Sequence, residues 1–309
     1  MQIEQIEKFL KYARIEYEVI RINQNNDKIE GFCPLNELRD NCITWAREKS
    51  YLKKEEFEKC KGVWVVCSKF DEFFNYNIGG YIFVQDPFSV FFSILDYCYD
   101  ENKKRKSFIG NSSVVKTKKI GSNVVIGEHC TIDENVIIGD NVEIRNNVSI
   151  TGNVQIGKDT TIFSGVKIGE EGYGYFTNVF GERKRVKHIG GVVIGSNCQI
   201  GENVVIARGC LGNTIIGDSV RIDSLSHIAH NVHIEDDAYV VCLVSLAGSS
   251  HVGRNAWIAP CASVANQASV GQNTILGLGA IVLKDIPDNA VVVGNPARII
   301  RERNIGDQL

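Results

Sequence analysis

The chain has 309 residues, of which 44% are hydrophobic and 23% charged, and its formal net charge is -3. That balance suits a soluble globular protein and lacks the basic surplus with which nucleic-acid binders neutralise phosphates. No apolar run approaches the roughly 20 residues of a membrane-spanning helix. The opening MQIEQIEKFLKYARIEYEV lacks a signal-peptide core, so a cytoplasmic protein without a membrane span is expected.

In chain order, IEQIEKFLKYA reads as an amphipathic helix. EYEVIRI, NCITWA, GVWVVCS and GGYIFVQ read as strands, and PFSVFFSILDYCYD as a helix entered through Pro87. These make a small α+β domain over residues 1–106, ending in the charged stretch 100–106 (DENKKRK), the expected linker. From Ile120 an isoleucine recurs every six residues: Ile126, Ile132, Ile138, Ile144, Ile150, Ile156, Ile162 and Ile168. A second small or branched apolar residue follows four places later, as at Val124, Cys130 and Val136. The period resumes at Ile194, Ile200 and Ile206, and again from Ile216 to Val282.

A period of six fits neither a helix nor a plain strand. It fits a short strand plus a corner of Gly, Asn or Asp, with three sides closing one triangular coil. Coils then stack as parallel strands about 4.8 Å apart around a continuous apolar core. The fold class expected is mainly β: a parallel β-helix of hexapeptide repeats over residues 107–287, behind the α+β domain. Two interruptions, after Ile168 and after Ile206, should bulge outward as loops. The first, GEEGYGYFTNVFGERKRVKHIGG, is glycine-rich, then aromatic, then basic, which suits a lid over a polar ligand. A C-terminal tail over residues 288–309 carries VVVGNPARIIRER, whose arginines suit phosphates.

The ten cysteines are scattered, with no C-x-x-C pair, and reduced thiols are expected. Cys130, Cys198 and Cys210 fall on inward positions as small apolar fillers. Stacking follows from the repeat alone. His230, Gly248 and Asn266 are third in their hexads in successive coils, so His230 should lie beside Gly248. A glycine there bares a backbone N–H next to an imidazole. Such a pair can take a proton from an attacking amine and hold the oxyanion of a thioester carbonyl. An ordinary surface histidine beside a turn glycine has the same spacing.

The motifs EEGYGY, IGGVVIG, RGCLGNTIIGD, IDSLSHIAHNVHI and LAGSSHVG resemble those of the UDP-3-O-acylglucosamine N-acyltransferases of lipid A synthesis. The resemblance implies a left-handed helix, His230 as the catalytic base and Gly248 at the oxyanion hole. CITWAREKSYL resembles the stretch whose two aromatic rings sandwich the uracil, here Trp45 and Tyr51. The family's second active-site histidine falls on Gln267, which cannot take a proton near neutral pH. The chain also stops soon after GNPARIIRER, without the helical extension that engages acyl carrier protein. That ending looks like the coenzyme A-dependent sugar N-acetyltransferases.

These departures favour N-acylation of a UDP- or dTDP-linked amino sugar for surface glycans, with acyl-CoA as co-substrate and no tightly bound cofactor. The alternative is the lipid A N-acyltransferase itself, using acyl carrier protein. Catalysis would use His230 and Gly248, with Asp223 orienting the imidazole. Trp45, Tyr51, Tyr173, Tyr175, Asn231 and Gln267 would bind the nucleotide sugar, and Lys284, Arg298 and Arg301 the coenzyme. A homotrimer is expected, as is usual for such helices. Two rival classes are a non-catalytic scaffold rod and a zinc site using His233 and His251. No third ligand to complete that site is evident, and no metal is expected.

Overall fold

A computed structural model describes residues 1–23, 27–70, 78–99, 107–304 and 307. The chain forms two compact units, Met1–Lys104 and Arg105–Leu309. The expected linker, 100–106, lies outside the described residues.

The first unit is the expected α+β domain. Its helices are α1 (Ile3–Tyr12), α2 (Lys54–Phe57) and α3 (Pro87–Tyr99). Its strands are β1 (Glu18–Arg21), β2 (Gly31–Phe32), β3 (Cys42–Ala46), β4 (Trp64–Cys67) and β5 (Gly80–Phe83). They form one sheet in the order β1-β5-β4-β3-β2. β1 runs antiparallel to β5, and the other neighbours are parallel. Sequence reading missed β2, which is two residues long and carries no alternation. Side chains alternate across the sheet. Ile43, Trp64, Val66 and Ile82 pack with Ile3, Ile6 and Leu10 of α1 and Val90, Phe91 and Ile94 of α3. Val65, Cys67, Tyr81 and Phe83 pack on the other face with Leu52 and Phe57.

One expectation is corrected here. Cys33 and Cys42 are joined as a disulfide with a Cα–Cα distance of 6.2 Å, so eight cysteines, not ten, are free. The parallel pairing of Gly31 with Cys42 and Phe32 with Ile43 brings the two sulfurs to one face. Their spacing in sequence carries no motif that would announce it.

The second unit is a left-handed parallel β-solenoid. Its strands lie in three sheets of nine, eight and eleven. Ile132 pairs with Ile150 and Ile150 with Ile168 on the nine-stranded face, so each coil stands on the one before it. Across the interruptions Ile168 pairs with Ile206 and Ile206 with Ile228, so the stacking survives both insertions. The inward column from Val124 to Val292 is one continuous buried cluster.

Corners turn through a residue with positive φ. Asn123, Asn141, Asn147, Asn203, Asn231, Asn255, Asn273 and Asn289 do so. Asparagine tolerates that conformation better than other non-glycine residues. Their amides also ladder from coil to coil, Asn255 Nδ2 donating to Asn273 Oδ1 at 2.9 Å and Asn273 Nδ2 to Asn289 Oδ1 at 3.1 Å.

Two further expectations change. Cys130 and Cys198 are buried in the core, but Cys210 is half-buried in the second interruption, its Sγ 3.7 Å from the Lys187 carbonyl. The insertion takes it out of the repeat's register. The segment read as a tail does not leave the solenoid either. Ala290–Val293 pairs parallel with Ile275–Leu276, and Arg298–Glu302 returns antiparallel to it. Buried Val292 explains this, because the last coil's apolar edge needs a cover.

Ile150 is fully buried between Ile132 and Ile168. Ile150→Ala is expected to cost about 2–5 kcal/mol through lost contacts and a residual cavity. A lowered denaturant midpoint checks this, and an unchanged midpoint contradicts a packed column.

Candidate active site

Both interruptions and His230 leave the solenoid at the same corner, where the chain passes from the nine-stranded to the eight-stranded face. The first interruption joins Lys167–Glu171 to Val192–Ile194, the second joins Val205–Arg208 to Thr214–Ile216, and His230 lies between His227–Ile228 and His233–Ile234. Three successive strands of one face therefore feed one corner. Gly248, Asn266 and Lys284 continue that corner in the coils above.

At some other corners the third residue of a hexad has its N–H capped by an Asp or Asn side chain one coil up. Asp140 Oδ1 accepts from Ser122 N at 2.7 Å, Asn146 Oδ1 from Glu128 N at 2.7 Å, and Asp236 Oδ1 from Asp218 N at 2.9 Å. Above His230 that residue is Gly248, which has no acceptor to offer. The imidazole occupies the room instead. A Cβ on Gly248 would stand 2.6 Å from His230 Cε1 and 2.7 Å from Nε2. Gly248 is buried, and no hydrogen bond from its N–H occurs among the described residues. That amide is therefore free to donate to a ligand.

The protonation of His230 follows from its neighbours. Asn231 Oδ1 accepts the Cys210 N–H at 2.9 Å, which fixes the orientation of that amide. The same Oδ1 lies 3.2 Å from His230 Nδ1. An oxygen there requires Nδ1 to carry a proton, so in the neutral ring Nε2, the atom over Gly248, presents a lone pair. The residue that orients His230 is thus its chain neighbour.

The first interruption folds back onto this corner. Tyr175–Thr177 and Arg183–Arg185 form an antiparallel hairpin. The return leg hydrogen-bonds to the second interruption, with Ile189 N donating to Cys210 O at 2.8 Å and Gly209 N to Gly191 O at 3.1 Å. Gly190 permits this approach, since a Cβ there would overlap the Gly212 carbonyl oxygen. The loop delivers His188, 3% exposed, against His230, with ring centroids 5.1 Å apart and the planes inclined at 69°. Sequence reading missed this histidine. It lies outside the hexad register, so only its place before IGG in an insertion could have flagged it.

Burial pushes the Cys198 thiol up to about 11 and the Cys67 thiol up to about 12, so neither is a nucleophile near neutral pH. Among the described residues no group of three His, Cys, Asp or Glu could hold a metal ion. His233 and His251 do stack, with centroids 5.2 Å apart, and His251 Nε2 lies 3.1 Å from Glu235 Oε1.

The family model for bacterial transferase hexapeptides (six repeats) matches residues 117–152. A UDP-3-O-acylglucosamine N-acyltransferase from Chlamydia pneumoniae is 41% identical over 70 residues, 23% of this chain and 19% of that protein. One from Saccharophagus degradans is 52% identical over 64 residues, 21% and 18% of the respective chains. The chain thus matches about a fifth of these relatives' own length. Among solved structures, a UDP-N-acetylglucosamine acyltransferase from Bacteroides fragilis is 30% identical with a TM-score of 0.56, covering 63% of this chain and 74% of that one. The Francisella novicida enzyme is 28% identical with a TM-score of 0.57, over 63% and 70%.

The chain belongs to the hexapeptide-repeat acyltransferases. In this family member the structure brings together some of the residues expected from sequence and separates others. His230, Gly248, Asn231, Gln267 and Lys284 share the corner. Gln267 N donates to the Gly248 carbonyl at 3.0 Å, its side chain is exposed, and it stacks in the Asn231 column. The residue two coils above His230 is Asn266, whose Oδ1 lies 3.1 Å from where a Gly248 Cβ would be. Tyr173 and Tyr175 lie on the hairpin limb that begins at buried Gly172, beside His230, with their rings 5.4 Å apart. Part of the basic run is neutralised, Arg185 lying 3.7 Å from Glu171 and Lys184 2.9 Å from Glu182.

Asp223 does not orient His230. It follows Arg221–Ile222 of the eleven-stranded face, at a different corner, and accepts from Ser224 N at 2.7 Å. Arg298 and Arg301 lie on a strand of that same face, the side of the triangle opposite the His230 corner. Arg301 is already paired to Asp307 through two contacts, at 2.5 and 3.0 Å. In the N-terminal unit Trp45 packs against Phe88 and Phe92, with centroids 5.3 and 6.4 Å away, while Tyr51 is exposed beside Leu52 on the other face's cluster. No ring contact joins Trp45 to Tyr51 among the described residues.

Gly248→Ala is expected to leave the circular dichroism spectrum unchanged and to displace the His230 ring. Histidine side-chain NMR reads this directly. An unmoved His230 resonance would contradict the contact.

Proposed function

We propose that this protein is an N-acyltransferase that moves an acyl group from a phosphopantetheine thioester to the amine of a UDP-linked, 3-O-acylated glucosamine. The observation that carries the reading is the bare Nε2 of His230 seated on the buried, unpaired amide of Gly248. Those two groups are a proton acceptor and an oxyanion donor, in contact, at the corner that also carries both insertions.

His230 Nε2 takes a proton from the nitrogen as it attacks the thioester carbon. The Gly248 N–H holds the oxygen as charge develops on it. The carbon–sulfur bond then breaks, and the thiolate recovers the proton from His230. No acyl-enzyme is formed, in keeping with buried, unreactive Cys198.

The names of the relatives support UDP over dTDP, and support the lipid A type of acceptor over a general glycan amino sugar. The donor's shared chemistry is the pantetheine thioester, presented by acyl carrier protein or by coenzyme A. Lys284, exposed on the same corner, would meet its phosphate. A homotrimer is proposed on the flat faces of the prism, and sedimentation should then give three times the chain mass.

His230→Ala is expected to lower kcat roughly 10²–10⁴-fold while the protein stays folded. Release of free thiol, assayed with acyl carrier protein and coenzyme A donors against UDP- and dTDP-amino sugars, measures this. Full turnover by the variant would remove His230 as the base, and preference for dTDP sugars would overturn the acceptor.

A further inference from the structure

We propose that His188 is a second proton acceptor of this site, receiving the amino sugar in its ammonium form before His230 acts. The inference rests on the N-acyltransferase reading above and names a residue that reading does not use.

Four observations meet at His188. Its Nδ1 lies 2.9 Å from the Val186 carbonyl, an acceptor, so Nδ1 carries a proton and in the neutral ring Nε2 is the acceptor. Nε2 is buried and has no hydrogen-bond partner. Leaving a buried acceptor unpaired is costly, so something is expected to fill it. The ring is held against His230. Finally, a Cβ on Gly172 would stand 3.0 Å from His188 Nε2 and 2.8 Å from His230 Cδ2, so a glycine keeps open the space that both rings border.

Amide formation from an ammonium group requires the nitrogen to lose two protons. A single imidazole that must return its proton to the thiolate handles one. His188 Nε2 takes the first, giving a neutral amine. That amine attacks the thioester carbon, and His230 Nε2 takes the second proton as the carbon–nitrogen bond forms. The carbon–sulfur bond breaks, His230 protonates the thiolate, and His188 releases its proton to solvent as product leaves. Bond and charge changes balance with no further reactant.

The ionisable groups around His188 are few. His230 faces it from the same corner, with ring centroids 5.1 Å apart. Glu171 Oε1 lies 3.4 Å from the His188 N–H and is itself engaged by Arg185, while Lys187 adjoins it in the chain and Cys210 packs on the Lys187 carbonyl. No carboxylate lies on its Nε2 among the described residues, which leaves that atom to the substrate.

The test is the pH dependence of kcat/KM in wild type and His188→Gln. Glutamine keeps a hydrogen-bond acceptor but cannot take a proton. The variant should match wild type within about threefold above the pKa of the substrate amine. Below it the variant should lose roughly tenfold per pH unit while wild type falls less steeply. Parallel profiles, at whatever absolute rate, would overturn the proposal. A second readout does not depend on turnover. Imidazole ¹⁵N NMR should show His188 Nε2 shifting with a UDP-linked sugar bearing a free amine and not with its N-acetylated counterpart. Equal shifts with both would also overturn it. Failure of the parent reading looks different: wild type then releases no thiol with any donor, and His230→Ala equals wild type.

Discussion

In a coiled sheet each strand must find its hydrogen bonds in the coil above and the coil below, and this requirement orders everything else in the solenoid. Ile132, Ile150 and Ile168 stand one over another because a slip by one residue would turn the whole apolar column outward. Corners must then superpose as well, and asparagine amides at Asn255, Asn273 and Asn289 ladder along one edge. Even the two insertions obey the rule, since Ile206 lies between Ile168 and Ile228 in unbroken register.

A rigid stack of this kind turns a local absence of side chain into a site. At several other corners an Asp or Asn closes the amide below it. Gly248 has no side chain to do so, and leaves space that an imidazole enters from the coil beneath. Rigidity also explains how a small site can be preorganised without a deep cavity. His230 is held by Asn231, Asn231 by the Cys210 amide, and the Cys210 carbonyl by the returning strand of the first insertion. Donors fixed before substrate arrives need no reorganisation during reaction.

The insertions show why repeat register and chemistry have different legibility. A residue inside the hexad pattern has a calculable neighbour. His188 does not, because nineteen residues lie between it and Ile168 and the loop's path is set by backbone contacts between Gly190, Gly209 and Cys210. The same holds for Cys33 and Cys42, whose meeting depends on which strands of the N-terminal sheet become neighbours.

From sequence alone, the period of six determined the prism, its apolar column, the two excursions and the contact of His230 with Gly248, because local periodicity leaves one way to stack. The α+β unit was legible as a class, and its four longer strands were found from alternation and β-branched content. Tertiary structure alone decided which of the three corners carries the insertions, that Asp223, Arg298 and Arg301 stand elsewhere on the triangle, and that His188 closes on His230. Those are facts of closure in three dimensions. A repeat fixes neighbours along its axis, but where an irregular loop lands depends on contacts between residues that no period relates.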